Sequence, residues 1–280
     1  MKGDRAASGA TISVVTVCLN AERTIEDTIR SVAAQDWADF EHIIVDGGST
    51  DGTAALVERL RHDRLRFVSG HDDGLYDAMN KGLHLATGDY VGFLNADDFL
   101  AAPDALGFIA RAAESGADCI LGDTALVDSD GRPTPYIYSA RGFRSWWLTI
   151  GAMPPHPSFY ARRALLLAAG GFDISFRVGA DFDLIARLIL GRGARWLVAG
   201  RILTCFRQGG VSTQGLESIR RISADKQRSI RALGYSAAPA RTLLRFPLRI
   251  WRRLNGVDRW PKSGIDVEWL RRPNARGTPL

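Results

Sequence analysis

Short apolar runs alternate with amphipathic segments through the first 120 residues, and polar clusters stand where two of those runs end. Thr11–Cys18 is rich in β-branched residues and reads as a buried strand. Asn20 is placed to cap the helix that follows, whose apolar face is set by Ile25, Ile29 and Val32. A second strand, Glu41–Val45, runs directly into Asp46 and a turn dense in Gly, Asp and Ser, with Thr50 or Asp51 placed to cap the next helix. A helix over 53–61, a short strand near 65–69 and a helix over Leu75–Ala86 come next. The strand Tyr90–Leu94 then ends at Asn95, Ala96, Asp97 and Asp98, and a helix over 104–115 and a strand at Cys119–Leu121 complete the series. This rhythm predicts an α/β fold with a central, mostly parallel sheet covered by helices on both faces. In such sheets ligands lie beyond the carboxyl ends of the strands, where the clusters at 46–53 and 95–98 fall.

Beyond residue 123 the pattern loosens: a turn at Asp128–Pro133, a segment at Tyr136–Tyr138, Trp146 and Trp147, then His156 among prolines. Helices are expected over 162–169 and from about Phe182 to Leu190. Of the tryptophan pair, one is expected in the core, while an aromatic platform for a ligand is the other use of such rings.

Charge divides the chain. From Arg220 onward there are 15 Lys or Arg against 4 Asp or Glu, leaving 21 basic and 27 acidic residues before it. The body is therefore acidic, which argues against nucleic acid as a partner, and the tail suits an anionic surface. We divide the chain into an α/β domain over 1–230 and a basic amphipathic tail over 231–280. In the tail Arg241, Arg245, Arg249, Arg252 and Arg253 form a charged stripe beside Leu243, Leu244, Leu248, Ile250, Trp251 and Leu254. The apolar side is expected to meet a membrane surface, the catalytic body or another protomer, with Pro247 kinking the helix. Three dispersed cysteines in apolar runs exclude a disulfide framework and fit a reducing compartment, and neither a signal peptide nor an 18-residue apolar run is present.

Two adjacent carboxylates after a buried strand, Asp97 and Asp98, are costly unless a cation or hydrogen bonds compensate them. A divalent cation bridging carboxylate and diphosphate oxygens would do so, and Mg²⁺ or Mn²⁺ suits such ligands. Capping of the next segment is the alternative. Asp181 and Asp183 open another helix about 200° apart, so one can face a cleft while the other braces toward Arg187 at i+4. Acids that merely favour a helix N-terminus are the alternative there.

Four segments in order, VVTVCLN (14–20), VDGGSTDGT (45–53), DGLYDAMNKGLHLATGDYVGFLNADD (73–98) and GGFDISFRVGADFDLIARL (170–188), resemble the family 2 glycosyltransferases of GT-A fold. The likeness is greatest to bacterial exopolysaccharide and colanic-acid type transferases. It implies an inverting transfer from a nucleotide-diphosphate sugar to a saccharide or lipid-linked acceptor, assisted by Mn²⁺ or Mg²⁺. It further implies a cytoplasmic enzyme that is peripheral on the inner face of the membrane. By the same resemblance Asp46, Thr16 and Asn20 border the nucleoside, and Asn80 and Lys81 lie beneath the sugar-nucleotide. Asn95 occupies the first place of the Asp-x-Asp motif, Asp97 is the metal ligand and Asp98 supports it or contacts acceptor. Asp181 becomes the general base with Asp183 beside it, and His156 touches diphosphate or acceptor or serves packing. Gly47, Asn95 and Ala180 depart from the family's usual acids, so a non-catalytic carbohydrate-binding or assembly protein is the alternative. A nucleotidyltransferase would place a basic glycine-rich loop after the first strand, and a dinucleotide oxidoreductase a G-x-G-x-x-G. This chain has Leu19, Asn20, Ala21 and Glu22 there.

Overall fold

Strand β1 (Ile12–Cys18) is buried along its whole length, and its side chains alternate between the two faces of the sheet. Val15 and Val17 join Ile43 and Val45 of β2 (Phe40–Asp46) beneath helix α3 (Leu75–Leu85), while Ile12 and Val14 meet Leu106, Ile109 and Ala110 of α4 (Ala105–Ala113). Each such side chain contributes about 1.5–3 kcal/mol when fully withdrawn from water, so a one-residue slip of β1 would exchange both faces at once. The computed structural model describes residues 9–208, 215–236 and 242–259.

Among the described residues nine strands form one sheet, in the order β3-β2-β1-β4-β8-β6-β9-β5, with β7 paired to β6. The half formed by β1, β2, β3 (Leu65–Ser69) and β4 (Tyr90–Phe93) is parallel throughout. In the other half β6 (Cys119–Val127) and β9 (Trp196–Arg207) run parallel to each other. The short β5 (Phe99–Leu100), β7 (Pro133–Tyr138) and β8 (Phe159–Arg162) are antiparallel insertions. A mostly parallel α/β sheet is thus present, with α1 (Ile25–Ala33), α2 (Thr53–Arg59) and α4 on one side and α3, α5 (Arg163–Ala168) and α6 (Ala180–Ala186) on the other. Strands β8 and β9 were not delineated in the sequence, and β6 extends six residues beyond the apolar run that marked it.

Two local expectations are corrected. Asn20 does not cap α1, which starts five residues later after Thr24. Asn20 instead adopts φ 52°, and its side-chain carbonyl accepts the Thr50 N–H at 2.9 Å. Pro247 does not kink the C-terminal helix, because α8 begins at Arg245 and a first-turn proline lacks only an N–H that has no helical partner.

Helix α7 (Gly215–Ala232) runs across position 230, where Ile230 is fully buried in the main core and Leu233 and Leu248 pack against it. Helix α8 (Arg245–Leu254) turns Arg245, Leu248 and Arg252 toward the body and leaves Arg249 and Arg253 exposed. Arg252 is buried, paired with buried Asp258 at 2.8 Å and donating to the carbonyls of Arg141 and Ser139. Its apolar side faces solvent, with Ile250 59%, Trp251 57% and Leu254 77% exposed. Of the expectations for the apolar side, packing on the body holds for Leu248 and not for Ile250, Trp251 and Leu254, because the buried ion pair and carbonyl bonds of Arg252 set much of the inner face. Arg241 and the tail beyond residue 259 lie outside the described residues.

Candidate functional site

The carboxyl ends of β1, β2 and β4 open on one side of the sheet, and two loops there are laced together. The Asn20 N–H donates to Ser49 Oγ at 2.8 Å, the Ala21 N–H to Thr53 Oγ1 at 2.8 Å, and the Gly52 N–H to Glu22 Oε2 at 2.7 Å. Asp46, at the end of β2, is buried beneath them and accepts from the Ser49 N–H, the Ser49 hydroxyl and the Ser69 hydroxyl, the last at 2.6 Å. Burial alone would raise its carboxyl. The serine donors outweigh it and hold the group below its ordinary range. A Cβ at Gly47 would stand 2.6 Å from a carboxylate oxygen of Asp72, so a side chain there requires Asp72 to move aside. The acid missing from position 47 therefore has a neighbour of the same chemistry supplied by the loop before α3.

The second cluster follows β4. The Asp98 N–H closes a turn onto the Asn95 carbonyl at 3.0 Å, and the Thr28 hydroxyl donates to the Asp98 carbonyl at 2.6 Å. Arg207, the last residue of β9, pins this turn: its N–H donates to Asp98 Oδ1 and its Nε to the Asp97 carbonyl, both at 3.0 Å. Its guanidinium also pairs with Asp27 at 2.7 Å and donates to the Ser129 carbonyl at 2.6 Å. Burial pushes the Asp97 carboxyl up, against the favourable charges of Arg207 and His156. Burial and the Asp97 charge together push Asp98 well above its ordinary value.

A divalent cation fits this turn. Asn95 Oδ1 and Asp98 Oδ2 are buried acceptor atoms without a hydrogen-bond partner, beside the raised carboxyl of Asp97. Among the described residues no three His, Cys, Asp or Glu side chains group into a metal site, so a cation at this turn would draw further ligands from substrate phosphate and water.

Across the cleft, α6 presents Asp181 in its first turn, 23% exposed, with Oδ1 accepting the Phe182 N–H at 2.7 Å. Its other oxygen lies 3.4 Å from His156 Nδ1. Burial holds the His156 imidazole below its ordinary range; Lys226 acts the same way, while Asp181 and Asp97 oppose it. His156 is thus within electrostatic reach of both acids. Asp183 points away from this opening, buried and paired with Arg187 at 2.6 Å in the i+4 relation, and Arg187 also donates to the carbonyls of Ala169 and Gly171. Trp147 is in the core and Trp146 is 55% exposed.

The structure brings Asp46, Asn20, Asn95, Asp97, His156 and Asp181 to this end of the sheet and removes other side chains from it. Thr16 is fully buried two residues inside β1, its hydroxyl 2.9 Å from His42 Nε2, so it lines no cleft. Asn80 donates to the Phe172 carbonyl at 2.9 Å and accepts the Phe172 N–H at 2.8 Å, which uses its amide as a clamp between α3 and the turn before α6. Lys81 is engaged on its own helix by Asp77 at 2.8 Å and by the His71 carbonyl, rather than standing free for a diphosphate. Asp98 is wholly buried and tied to β9, which withdraws it from substrate. Asp183 is a brace. Arg207, Asp72 and Lys226 were missed: Arg207 and Lys226 reach the site from segments whose place in the fold no local pattern reveals, whereas Asp72 follows a strand legible in the sequence and stands where such sites form.

Residues 13–167 match the family described as Glycosyl transferase family 2. An uncharacterized glycosyltransferase of Mycobacterium tuberculosis is 33% identical over 191 residues, covering 65% of this chain and 70% of that protein. A PGL/p-HBAD biosynthesis glycosyltransferase of Mycobacterium bovis is 32% identical over 180 residues, covering 62% and 68%. In fold, the chain is similar to residues 1–349 of TarS from S. aureus, solved in complex with UDP-GlcNAc (TM-score 0.62, 21% identity, 80% of this chain and 71% of that one). It is also similar to the mannosyltransferase PcManGT from Pyrobaculum calidifontis, solved in complex with GDP-Man and Mn²⁺ (TM-score 0.58, 23% identity, 84% and 67%). With its motifs at the strand ends and more than half its length matched, this chain belongs to glycosyl transferase family 2.

Proposed function

We propose that this protein moves a sugar, with inversion, from a nucleotide-diphosphate sugar to a hydroxyl of a saccharide or lipid-linked acceptor in polysaccharide or glycolipid assembly. The observation that carries the reading is His156 3.4 Å from Asp181 and within electrostatic reach of Asp97, at the end of the sheet where Asp46 and its loop also stand. The nucleoside lies against the 46–53 loop and Asp72, and the diphosphate lies at Asn95–Asp97. Asp97 and Asn95 would hold Mn²⁺ or Mg²⁺, which when bound neutralises charge developing on the diphosphate. Asp181 takes the proton of the acceptor hydroxyl as its oxygen bonds to the anomeric carbon and the bond from that carbon to the diphosphate breaks. Arg207 keeps the Asn95–Asp98 turn in place through its bonds to Asp97 and Asp98. The donor complexes of the two fold neighbours, one of which contains Mn²⁺, support this assignment.

The test is donor hydrolysis across UDP-, GDP- and dTDP-sugars with Mn²⁺, Mg²⁺ or chelator. One nucleotide class is expected to be hydrolysed, with activity lost in chelator and restored by the metal. Tight sugar binding with no turnover of any donor would favour the non-catalytic alternative.

We assign the enzyme to the cytoplasmic face of a membrane, reached through α8. No helix among the described residues is long and apolar enough to cross a bilayer. The outward apolar side of α8 is flanked by exposed Arg249, Arg253 and Arg259, the chemistry of a helix lying in an anionic interface. Each arginine near such a leaflet adds about 1 kcal/mol of attraction. Full-length protein is expected to co-sediment with phosphatidylglycerol vesicles at low salt and not with phosphatidylcholine vesicles. Ile250→Ser, Trp251→Ser and Leu254→Ser together should abolish this without lowering thermal stability. Equal sedimentation of variant and wild type removes α8 from the account.

A further inference from the structure

Three cations gather around Lys226, which is within electrostatic reach of Asp181, and no reaction step above uses them. Lys226 of α7 donates to the Gly151 carbonyl at 2.8 Å, and its ammonium stands 4.9 Å from the ring centre of Phe182, the neighbour of Asp181. Arg245 opens α8 and donates to Ser223 Oγ at 2.7 Å and to the Thr242 carbonyl at 3.2 Å. Both cationic chains press on the same point of backbone. A Cβ built on Gly151, whose φ is 78°, would stand 3.4 Å from Arg245 Nη1 and 3.5 Å from Lys226 Cδ. Arg249, exposed one turn further along α8, is within electrostatic reach of both of them and of Tyr138, whose hydroxyl donates to the Met153 carbonyl at 2.5 Å. These contacts border the 151–153 loop and the Asp181 end of α6.

The charges do not balance. The acid acting on Lys226 is Asp181, against Arg245 and Arg249, and burial with those two arginines carries the ammonium down to about 8. Burial and Arg249 likewise lower Arg245. Converging cations at a partly buried site are unfavourable unless an anion completes them, and guanidinium groups suit phosphate oxygens in particular. The neighbours of Arg249 on α8, Ile250 and Trp251, turn apolar surface to solvent directly beside the cluster.

Resting on the transferase reading, we propose that Lys226, Arg245 and Arg249 form a subsite for the phosphate of an alkyl-linked acceptor, holding it beside Asp181 while the alkyl chain follows the apolar side of α8. The subsite selects acceptors by charge, and the donor diphosphate stays at the Asn95–Asp97 turn.

Calorimetric titration of the full-length protein with octyl phosphate, octyl glucoside and inorganic phosphate tests this, each without and with saturating nucleotide-sugar donor. Octyl phosphate is expected to bind at least about tenfold more tightly than either of the others, since neither supplies both the charge and the chain. Arg249→Gln, at an exposed position, should weaken octyl phosphate binding about tenfold or more while leaving donor affinity and thermal midpoint unchanged. Lys226→Met should do the same for octyl phosphate. The proposal is overturned if octyl phosphate binds no better than octyl glucoside or inorganic phosphate, or if both variants bind it like wild type. It is also overturned if the variants lose donor affinity instead, because the cations would then serve the donor diphosphate. In each of those cases a donor still bound by wild type leaves the transferase reading standing, whereas wild type that binds no donor at all removes that reading itself.

Discussion

Asp181→Asn should lower the transfer rate by about 100-fold or more while donor affinity stays within about twofold of wild type. Asparagine keeps the shape of the side chain and an oxygen for the Phe182 N–H, so the first turn of α6 is retained. What disappears is the capacity to take a proton from the acceptor hydroxyl at the attacking moment. Single-turnover kinetics with saturating donor, alongside donor titration, separate the chemical step from binding. Asp183→Asn is the control, because Asp183 is buried against Arg187 and its loss should appear as lower stability rather than slower chemistry. Full activity in the Asp181 variant together with a large loss at Asp183 would mean that the two roles are exchanged.

Asp97→Ala should abolish transfer and weaken donor binding in the presence of Mn²⁺, while donor binding in chelator changes little. Asp97 is partly open to the cleft, whereas Asp98 is wholly buried and engaged by the Arg207 N–H. With Asn95 contributing only a neutral amide oxygen, Asp97 is the one accessible carboxylate of this turn available to a cation. Removing it also relieves the charge that helps push Asp98 up, so the variant should fold at least as stably as wild type. Loss of activity then reports on the site and not on the scaffold. Near-full turnover in this variant would withdraw the metal assignment.

The sequence by itself determined the parallel half of the sheet and where its acids stand. Strand and helix periodicities are local properties, and β1, β2, β3 and β4 each follow from a handful of adjacent residues. Once those strands lie parallel, Asp46 and the Asn95–Asp98 turn must share one end of the sheet. The tertiary structure alone decided which polar side chains face that end. Thr16, Asn80, Lys81 and Asp98 stand in recognisable motifs, yet each is bound to a partner that directs it elsewhere: His42, the Phe172 backbone, Asp77 and the Arg207 backbone. Three of those partners lie between 26 and 109 residues away, and no periodicity encodes such pairings. The tail shows the same rule on a larger scale. Its amphipathic pattern was plain in the sequence, but pattern alone does not say which side turns inward. Arg252 finds Asp258 and two carbonyls in the body, and that hydrogen-bonded burial leaves the apolar side of α8 facing out.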